Sequence, residues 1–453
     1  MKKKLRFSFS TTQIILLSFI AVIFIGSILL YLPISTAEGV TVSYIDALFT
    51  ATTATCVTGL VTVTTATAWS SFGQVVILLL IQIGGLGVIT VVSGFMIALH
   101  KRMNLSDRLL IQDAFNLNTL EGMSDFIKKV IKGTFIVEGI GALLYMIVFV
   151  PEFGIKGVWI SVFTAISAFC NAGMDIIGES SLYGYATNGI VNFVTMALIV
   201  IGGLGFIVWW DFARVFKDFK QKRFKCLSML TLHSKMVVSM TSVLILAGAV
   251  AFFAFEYSNP LTMGGCSLFE KIQISLFQSV TTRTAGFASV PQANLTDSSS
   301  IVSLLLMFIG GSPVGTAGGV KTVTIAVLIA AAVSTFKNRN EVTLFNRNIA
   351  KASVYKAIAV TVMSFSIMFI STVLLSAVTD ASMLDIVYET ASATATVGLS
   401  RDLTPLLNLW GKIIIIATMY FGRVGPISLA IAFNVKAKNQ NIIKNPTEEI
   451  SVG

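Results

Sequence analysis

Charge is scarce in this chain. Only 12% of its 453 residues are charged, whereas 55% are hydrophobic and the mean hydropathy is +0.84. That balance excludes an ordinary soluble domain and points to a polytopic membrane protein. Histidine occurs twice, at His100 and His233, both in expected cytoplasmic loops with no metal-ligand spacing around them. The four cysteines are too few and too irregularly placed for a disulfide framework. Cys56 and Cys170 each stand three residues before a glycine and read as small packing residues. No HExxH, GxSxG or paired-carboxylate signature is present, so the sequence does not read as an enzyme. The stretches at about 100–125, 213–234 and 336–353 hold no Pro/Ser-rich linker and are too short for a separate domain. No nucleotide-binding domain and no organic cofactor are expected within this chain.

Long apolar runs are what the chain has in quantity. They lie at 13–33, 72–99, 134–150, 189–210, 236–255, 301–333, 357–378 and 406–433. A hydrocarbon core of roughly 30 Å takes about 20 helical residues, so eight spans are predicted. The third is long enough only if it starts near Phe126. The first follows a basic flank, MKKKLRFSF, and is too long for a signal peptide, so it reads as a retained span.

A net charge of +10 would suggest nucleic acid in a soluble protein, but placement argues otherwise. Of 32 Lys and Arg, 25 cluster at 2–6, 101–132, 214–235, 337–356 and 436–444. The positive-inside rule puts these segments and both termini in the cytoplasm, beside a bilayer rather than a nucleic acid. The opposite loops carry Glu38, Glu152, Glu179, Glu256, Asp297, Asp380 and Asp402, an acidic mouth that would concentrate cations.

One unit is written four times. Gly59, Gly173, Gly286 and Gly398, spaced 114, 113 and 112 residues apart, close the clusters TATCVTGL, AFCNAGMD, TTRTAGFA and TATVGLS. Each cluster follows a half-length apolar segment, at about 44–55, 158–169, 268–281 and 383–394, too short to cross a bilayer. A segment that enters and turns back must be covered by protein, so the four should face one wet axis with their negative helix ends inward. The expected architecture is an all-α membrane protein of four span–pore-loop–span repeats with pseudo-fourfold symmetry. The repeats cover 1–105, 106–220, 221–340 and 341–440, and a tail covers 441–453. The candidate filter is Val57-Thr58-Gly59, Asn171-Ala172-Gly173, Thr284-Ala285-Gly286 and Thr396-Val397-Gly398. Glycine permits the unusual dihedrals that aim carbonyls at an ion.

Glycines recur in the second span of each repeat: IGGLG at 83–87, IGGLG at 201–205, GGS at 310–312 and GRVGP at 422–426. In the first two repeats they read as close helix packing within continuous spans. In the third, GGSPVGTAGGVKT cannot stay helical at low cost. Residues 310–319 are predicted to form a flexible loop crossing the pore below the filter, a gate made of Gly310, Gly311, Ser312, Pro313, Gly315, Thr316, Ala317, Gly318 and Gly319. It is not a P-loop, because Val320 separates Gly319 from Lys321. Arg423 lies 25 residues after Gly398 and Gly310 lies 24 after Gly286, which places them at similar depth. Arg423 is expected to face the pore, repel cations and bond the loop's carbonyls. Arg283 is expected to pair with an acidic residue of a neighbouring repeat.

These motifs resemble the superfamily of potassium transporters that includes bacterial Trk, bacterial Ktr and fungal and plant relatives. The resemblance rests on CVTGL, CNAGMD, RTAGF and TVGLS, on the interrupted third repeat and on Arg423, and covers about residues 11–435. Thr396-Val397-Gly398 also matches the start of the potassium channel filter, TVGYG, whose second half is absent, so a shorter filter is expected. With only a short leading tail, the chain is most similar to the Ktr membrane subunit. The resemblance implies K⁺ as the transported ion, bound at the filter carbonyls, and Na⁺ as an activator. It also implies a homodimer with one pore per subunit and a separate cytoplasmic ring of nucleotide-binding subunits (KtrA-like) that opens the gate. The alternative is a proton- or sodium-coupled potassium symporter, for which Glu138 and Asp211 are the few ionisable candidates.

Overall fold

The computed structural model describes residues 10–99, 108–112, 122–217, 228–339 and 341–425. The basic N-terminus, His100, parts of the connectors and the tail 441–453 lie outside the described residues. Among the described residues, four helices are each long and apolar enough to cross a membrane: α1 (Thr11–Tyr31), α5 (Met123–Phe153), α9 (Leu232–Glu256) and α13 (Lys351–Ser376). Each is followed by a short helix: α2 (Tyr44–Cys56), α6 (Ile155–Cys170), α10 (Leu268–Thr281) and α14 (Met383–Ala395). These begin and end within two or three residues of the predicted half-length segments. The third span does start near Phe126, at Met123.

Local chemistry sets where the short helices start. Ser43, Ser267 and Ser382 each accept a bond from the backbone N–H three residues on, and an acid, Asp46, Glu270 or Asp385, sits at that position. Such a cap satisfies an otherwise unpaired donor and places negative charge at the positive helix end. The second repeat uses Gly154 instead, at φ 61° and without a side-chain cap. The C-terminal parts of the four helices are buried, Thr50 to Cys56 and Ala391 to Ala393 among the most enclosed, whereas their starts carry exposed residues such as Ile155, Phe269 and Met383. Those inner ends, which lead into the irregular strands, are enclosed by protein, as irregular chain at membrane depth requires.

The second spans of the first two repeats differ from the expected continuous helices. In the first repeat α3 (Ser71–Leu86) and α4 (Val88–Ala98) meet at 95°, and in the second α7 (Gly189–Leu204) and α8 (Phe206–Phe216) meet at 96°. The breaks fall at Gly87 and Gly205, whose φ of 85° and 90° no helix contains. Packing alone is therefore only part of what these glycines do. Gly84 and Gly202 supply it: a Cβ on either would lie 2.0 Å from the carbonyl oxygen of Thr55 or Phe169 at the end of the preceding short helix. The third second span, which the GGSPVGTAGGVKT run was expected to interrupt, is two helices, α11 (Asp297–Phe308) and α12 (Thr322–Phe336), separated by a loop. The fourth, α15 (Leu409–Val424), ends at Gly425 with the same backbone setting as Gly87 and Gly205. His233, expected in a loop, lies in the first turn of α9 because Thr231 caps that helix.

Candidate ion pathway

Four chain segments from four repeats converge on one axis. A Cβ added to Gly59 would lie 2.5 Å from the carbonyl oxygen of Ala172, and one on Gly173 would lie 2.6 Å from that of Ala285. One on Gly286 would lie 2.5 Å from that of Val397, and one on Gly398 would lie 2.2 Å from that of Thr58. Each glycine therefore faces the residue before the glycine of the next repeat, and the fourth closes onto the first. Only a closed ring of four equivalent strands gives that cyclic order. All four glycines have φ between 65° and 99°, and the residues two before them, Val57, Asn171, Thr284 and Thr396, are also left-handed, with φ from 51° to 67°. Such dihedrals are costly for non-glycine residues and persist where the surroundings enforce them.

Hydroxyls on the short helices hold the strands. The Gly59 N–H donates to Thr53 Oγ1 at 2.9 Å, and the Gly398 N–H donates to Ser392 Oγ at 3.0 Å. In the second repeat Ser167 Oγ accepts from the Met174 N–H at 3.1 Å. All three hydroxyls stand six residues before the glycine, a spacing that sequence reading missed. The third repeat has Val280 there, and its helix ends differently. Thr282 stays right-handed, and Ala285 N–H bonds the Thr281 carbonyl four residues back rather than five.

The strands open into a cavity of about 150 Å³ that all four ring glycines line, together with Asp175, Glu179, Tyr183, Gln292 and Ser400. Burial pushes the Asp175 carboxyl up to about 6, against the opposing bond from the Ile177 N–H. A further carboxylate, Glu389, is buried behind the fourth strand and accepts from Ser400 Oγ and Thr404 Oγ1. Arg401 pairs with Asp385 of its own repeat at 2.7 Å and ties the region to the third repeat through Ser300 Oγ at 2.7 Å and the Gln292 carbonyl at 3.1 Å.

On the inner side the loop between α11 and α12 lies directly under the strands. A Cβ on Gly318 would lie 1.9 Å from Thr396 Oγ1, and Gly318 N–H donates to Thr284 Oγ1 at 3.2 Å. The loop is closed on itself by a parallel bridge between Ile309 and Val320. It is also bonded to the second repeat, through Ser312 N–H to the Gly203 carbonyl, Thr316 N–H to that of Gly202, and Phe206 N–H to that of Val314. The break at Gly205 thus presents unpaired helix-end groups that the loop satisfies. In this conformation the expected flexible segment is tied at both ends and in its middle.

Arg423 sits beneath it. Its Nη1 donates to the Thr316 carbonyl at 2.6 Å and its Nη2 to the Gly84 carbonyl. Lys321, which sequence reading treated only as a failed P-loop lysine, ends the loop and donates from Nζ to the Ala317 carbonyl at 2.5 Å. Both cations line an inner cavity of about 230 Å³ with Gly85, Gly87, Val314 and Phe206. Arg283 is a correction. Its Nη2 reaches the Gly310 carbonyl of its own repeat at 3.4 Å, and no acid pairs with it among the described residues. The buried Nε is left without a partner. Of the two ionisable candidates, Glu138 is buried and accepts from Gln82 Nε2 at 3.1 Å, with Cys170 Sγ at 3.9 Å. Asp211 accepts from Thr231 and pairs with Arg214 at a helix end. Neither lines the cavities described above.

A family model described as TrkH, cation transport protein, matches residues 2–445. The chain belongs to the TrkH family of cation transport proteins. With that family and several apolar helices of spanning length, it is a multi-pass membrane protein. The chain is 38% identical to the potassium/sodium uptake protein NtpJ of Enterococcus hirae, covering all of this chain and 99% of that protein. It is 39% identical to the Ktr system potassium uptake protein B of Bacillus subtilis, covering 98% and 97%. The crystal structure of the potassium transporter TrkH from Vibrio parahaemolyticus superposes with a TM-score of 0.74 at 17% identity, over 95% of this chain and 86% of that one, a likeness of fold.

Proposed function

We propose that this chain is the membrane subunit of a potassium uptake system, passing K⁺ down its electrochemical gradient through the ring of Gly59, Gly173, Gly286 and Gly398. The observation that carries this reading is the cyclic contact of those four glycines, which leaves space for backbone oxygens and no side chain around one axis. A dehydrated potassium ion needs such an oxygen cage in place of its water shell. The relatives named for potassium uptake support the choice of ion.

The loop of residues 310–319 and Arg423 form the closed gate in this reading. The loop's chain fills the axis below Thr284 and Thr396, and two cations beneath it oppose a passing cation. Opening requires the loop to give up its bonds to Gly202, Gly203 and Arg423. A cytoplasmic ring of nucleotide-binding subunits, acting on a homodimer in the plasma membrane, and activation by Na⁺ complete the proposal. The name Ktr system, borne by relatives, supports a multi-component assembly.

Potassium uptake by a potassium-requiring cell expressing the chain, alone and with a candidate cytoplasmic subunit, tests the assignment. Growth rescue at low potassium is expected, and larger with the subunit; no rescue by correctly inserted protein rejects it. In proteoliposomes, deleting residues 313–318 together with Arg423→Ala should raise unregulated K⁺ flux. Unchanged or lower flux rejects the gate. Flux abolished by a proton uncoupler at fixed voltage would favour the coupled symporter.

A further inference from the structure

Below the loop the third repeat's second span resumes as α12, and its far end borders a cavity of about 300 Å³. The other walls are the first turns of α9 and a small hairpin, β1 (Thr343–Leu344) paired antiparallel with β2 (Arg347–Asn348). The cavity has two unlike ends. Its interior is mainly apolar, with Met236 and Ala330 buried beside the small hydroxyl of Ser334. The wall continues outward along α12 over Ile329 and Val333, which are 52% and 44% exposed in a helix read as lying among lipids. The rim carries Lys337 and Arg339, both exposed and neither in an ion pair among the described residues. They belong to one of the basic segments that charge distribution assigns to the cytoplasmic face.

We propose that this cavity binds one anionic phospholipid, with its phosphate at Lys337 and Arg339 and an acyl chain in the trough between α9 and α12. Basic pockets between membrane helices on the cytoplasmic side suit such headgroups. Arg339 offers a planar fork that fits phosphate oxygens, and Lys337 adds a point charge. An apolar trough open to lipid at one side and ending in two cations distinguishes a phospholipid from a soluble anion, which would leave the trough empty. The site has a consequence for transport that rests on the proposed gate. Lys321 caps the start of α12 and holds the loop's Ala317 carbonyl, so a lipid at the far end steadies the helix that carries the loop.

The test is native mass spectrometry of the full chain from detergent, titrated with dioleoyl-phosphatidylglycerol and dioleoyl-phosphatidylcholine. The expected result is tighter retention of the anionic lipid. Lys337→Gln/Arg339→Gln should weaken its binding roughly tenfold or more, at about one charge interaction per residue removed. Phosphatidylcholine binding should not change, and millimolar inorganic phosphate should not displace the anionic lipid. Ala330→Leu, which fills the trough and keeps both charges, should also weaken retention, whereas Lys351→Gln on an exposed surface should not. Equal retention by the wild type and both variants overturns the proposal. So does displacement by inorganic phosphate, which marks a free-anion site. Absence of any lipid preference overturns it in favour of a protein partner or a second copy at this face. Binding is read without transport, so failure of the potassium assignment would not be mistaken for failure of the lipid site.

Discussion

At Gly398 a single added carbon would meet the Thr58 carbonyl oxygen at 2.2 Å and the Gly59 Cα at 2.8 Å, both backbone atoms that cannot swing away. The residue is also at φ 98°, where a side chain is strained by about 1–2 kcal/mol before any clash. Gly398→Ala should therefore lower potassium uptake at least roughly tenfold and relax discrimination against sodium, with protein abundance unchanged. Gly265→Ala is the control, since nothing lies within 4 Å of an added Cβ there and uptake should stay at the wild-type level. Uptake of both ions by cells expressing equal amounts of each variant checks this. Asp175 and Glu179 act at longer range. They line the outer cavity above the glycines, so Asp175→Asn/Glu179→Gln should raise the KM for potassium about threefold to tenfold at pH 7.5 and low salt. The maximal rate should change little, and the difference should shrink at high ionic strength as screening shortens the field's reach.

Among the elements, the short helices carry both ends of their own definition. Their starts were legible, because Ser-x-x-Asp or Ser-x-x-Glu at 43–46, 267–270 and 382–385 is a helix-opening pattern with a mechanism. Ser267→Ala should cost about 1 kcal/mol of stability, read as a lower unfolding temperature in detergent micelles. Their ends carry the strand anchors. Ser392→Ala leaves the half-buried Gly398 N–H without its 3.0 Å partner, at about 1 kcal/mol, and should increase sodium permeation more than it lowers the unfolding temperature. An equal loss of potassium and sodium flux would instead mean a generally damaged pore. The bent second spans were not legible. IGGLG fits a packed helix as well as a broken one, and the choice depends on the loop of another repeat docking at Gly205.

On the scale of the whole molecule, a ring must close, and the first and fourth repeats meet far apart in sequence. Lys412 on α15 pairs with Asp46 at the start of α2 at 2.6 Å, with side chains only 16% and 13% exposed. Lys412→Met leaves the carboxylate with Ser43 alone and should destabilise the protein by about 2 kcal/mol, below the fully buried range because both groups keep some exposure. Asp46→Asn/Lys412→Met should recover more than half of that loss. Thermal unfolding of the single and double variants in one detergent checks it, and a double variant no better than the single one would mean the pair does not join the repeats. Arg423 belongs to this scale too, since it bonds the third repeat's loop and the first repeat's α3 at once.

The sequence by itself determined that the chain is a helical membrane protein in which one glycine-closed motif recurs four times, because apolar run length, basic-residue placement and glycine spacing are local or periodic properties. It also singled out Arg423 and the loop at 310–319, since a charge or a glycine-proline run inside a span is costly wherever it packs. Only the tertiary structure decided the partners. Arg283 turns to the Gly310 carbonyl rather than to an acid, Glu138 shares Gln82 with Cys170, and the spans break at Gly87 and Gly205. Those outcomes depend on which neighbouring surface can satisfy a buried polar group, and that surface exists only once four segments more than a hundred residues apart have met.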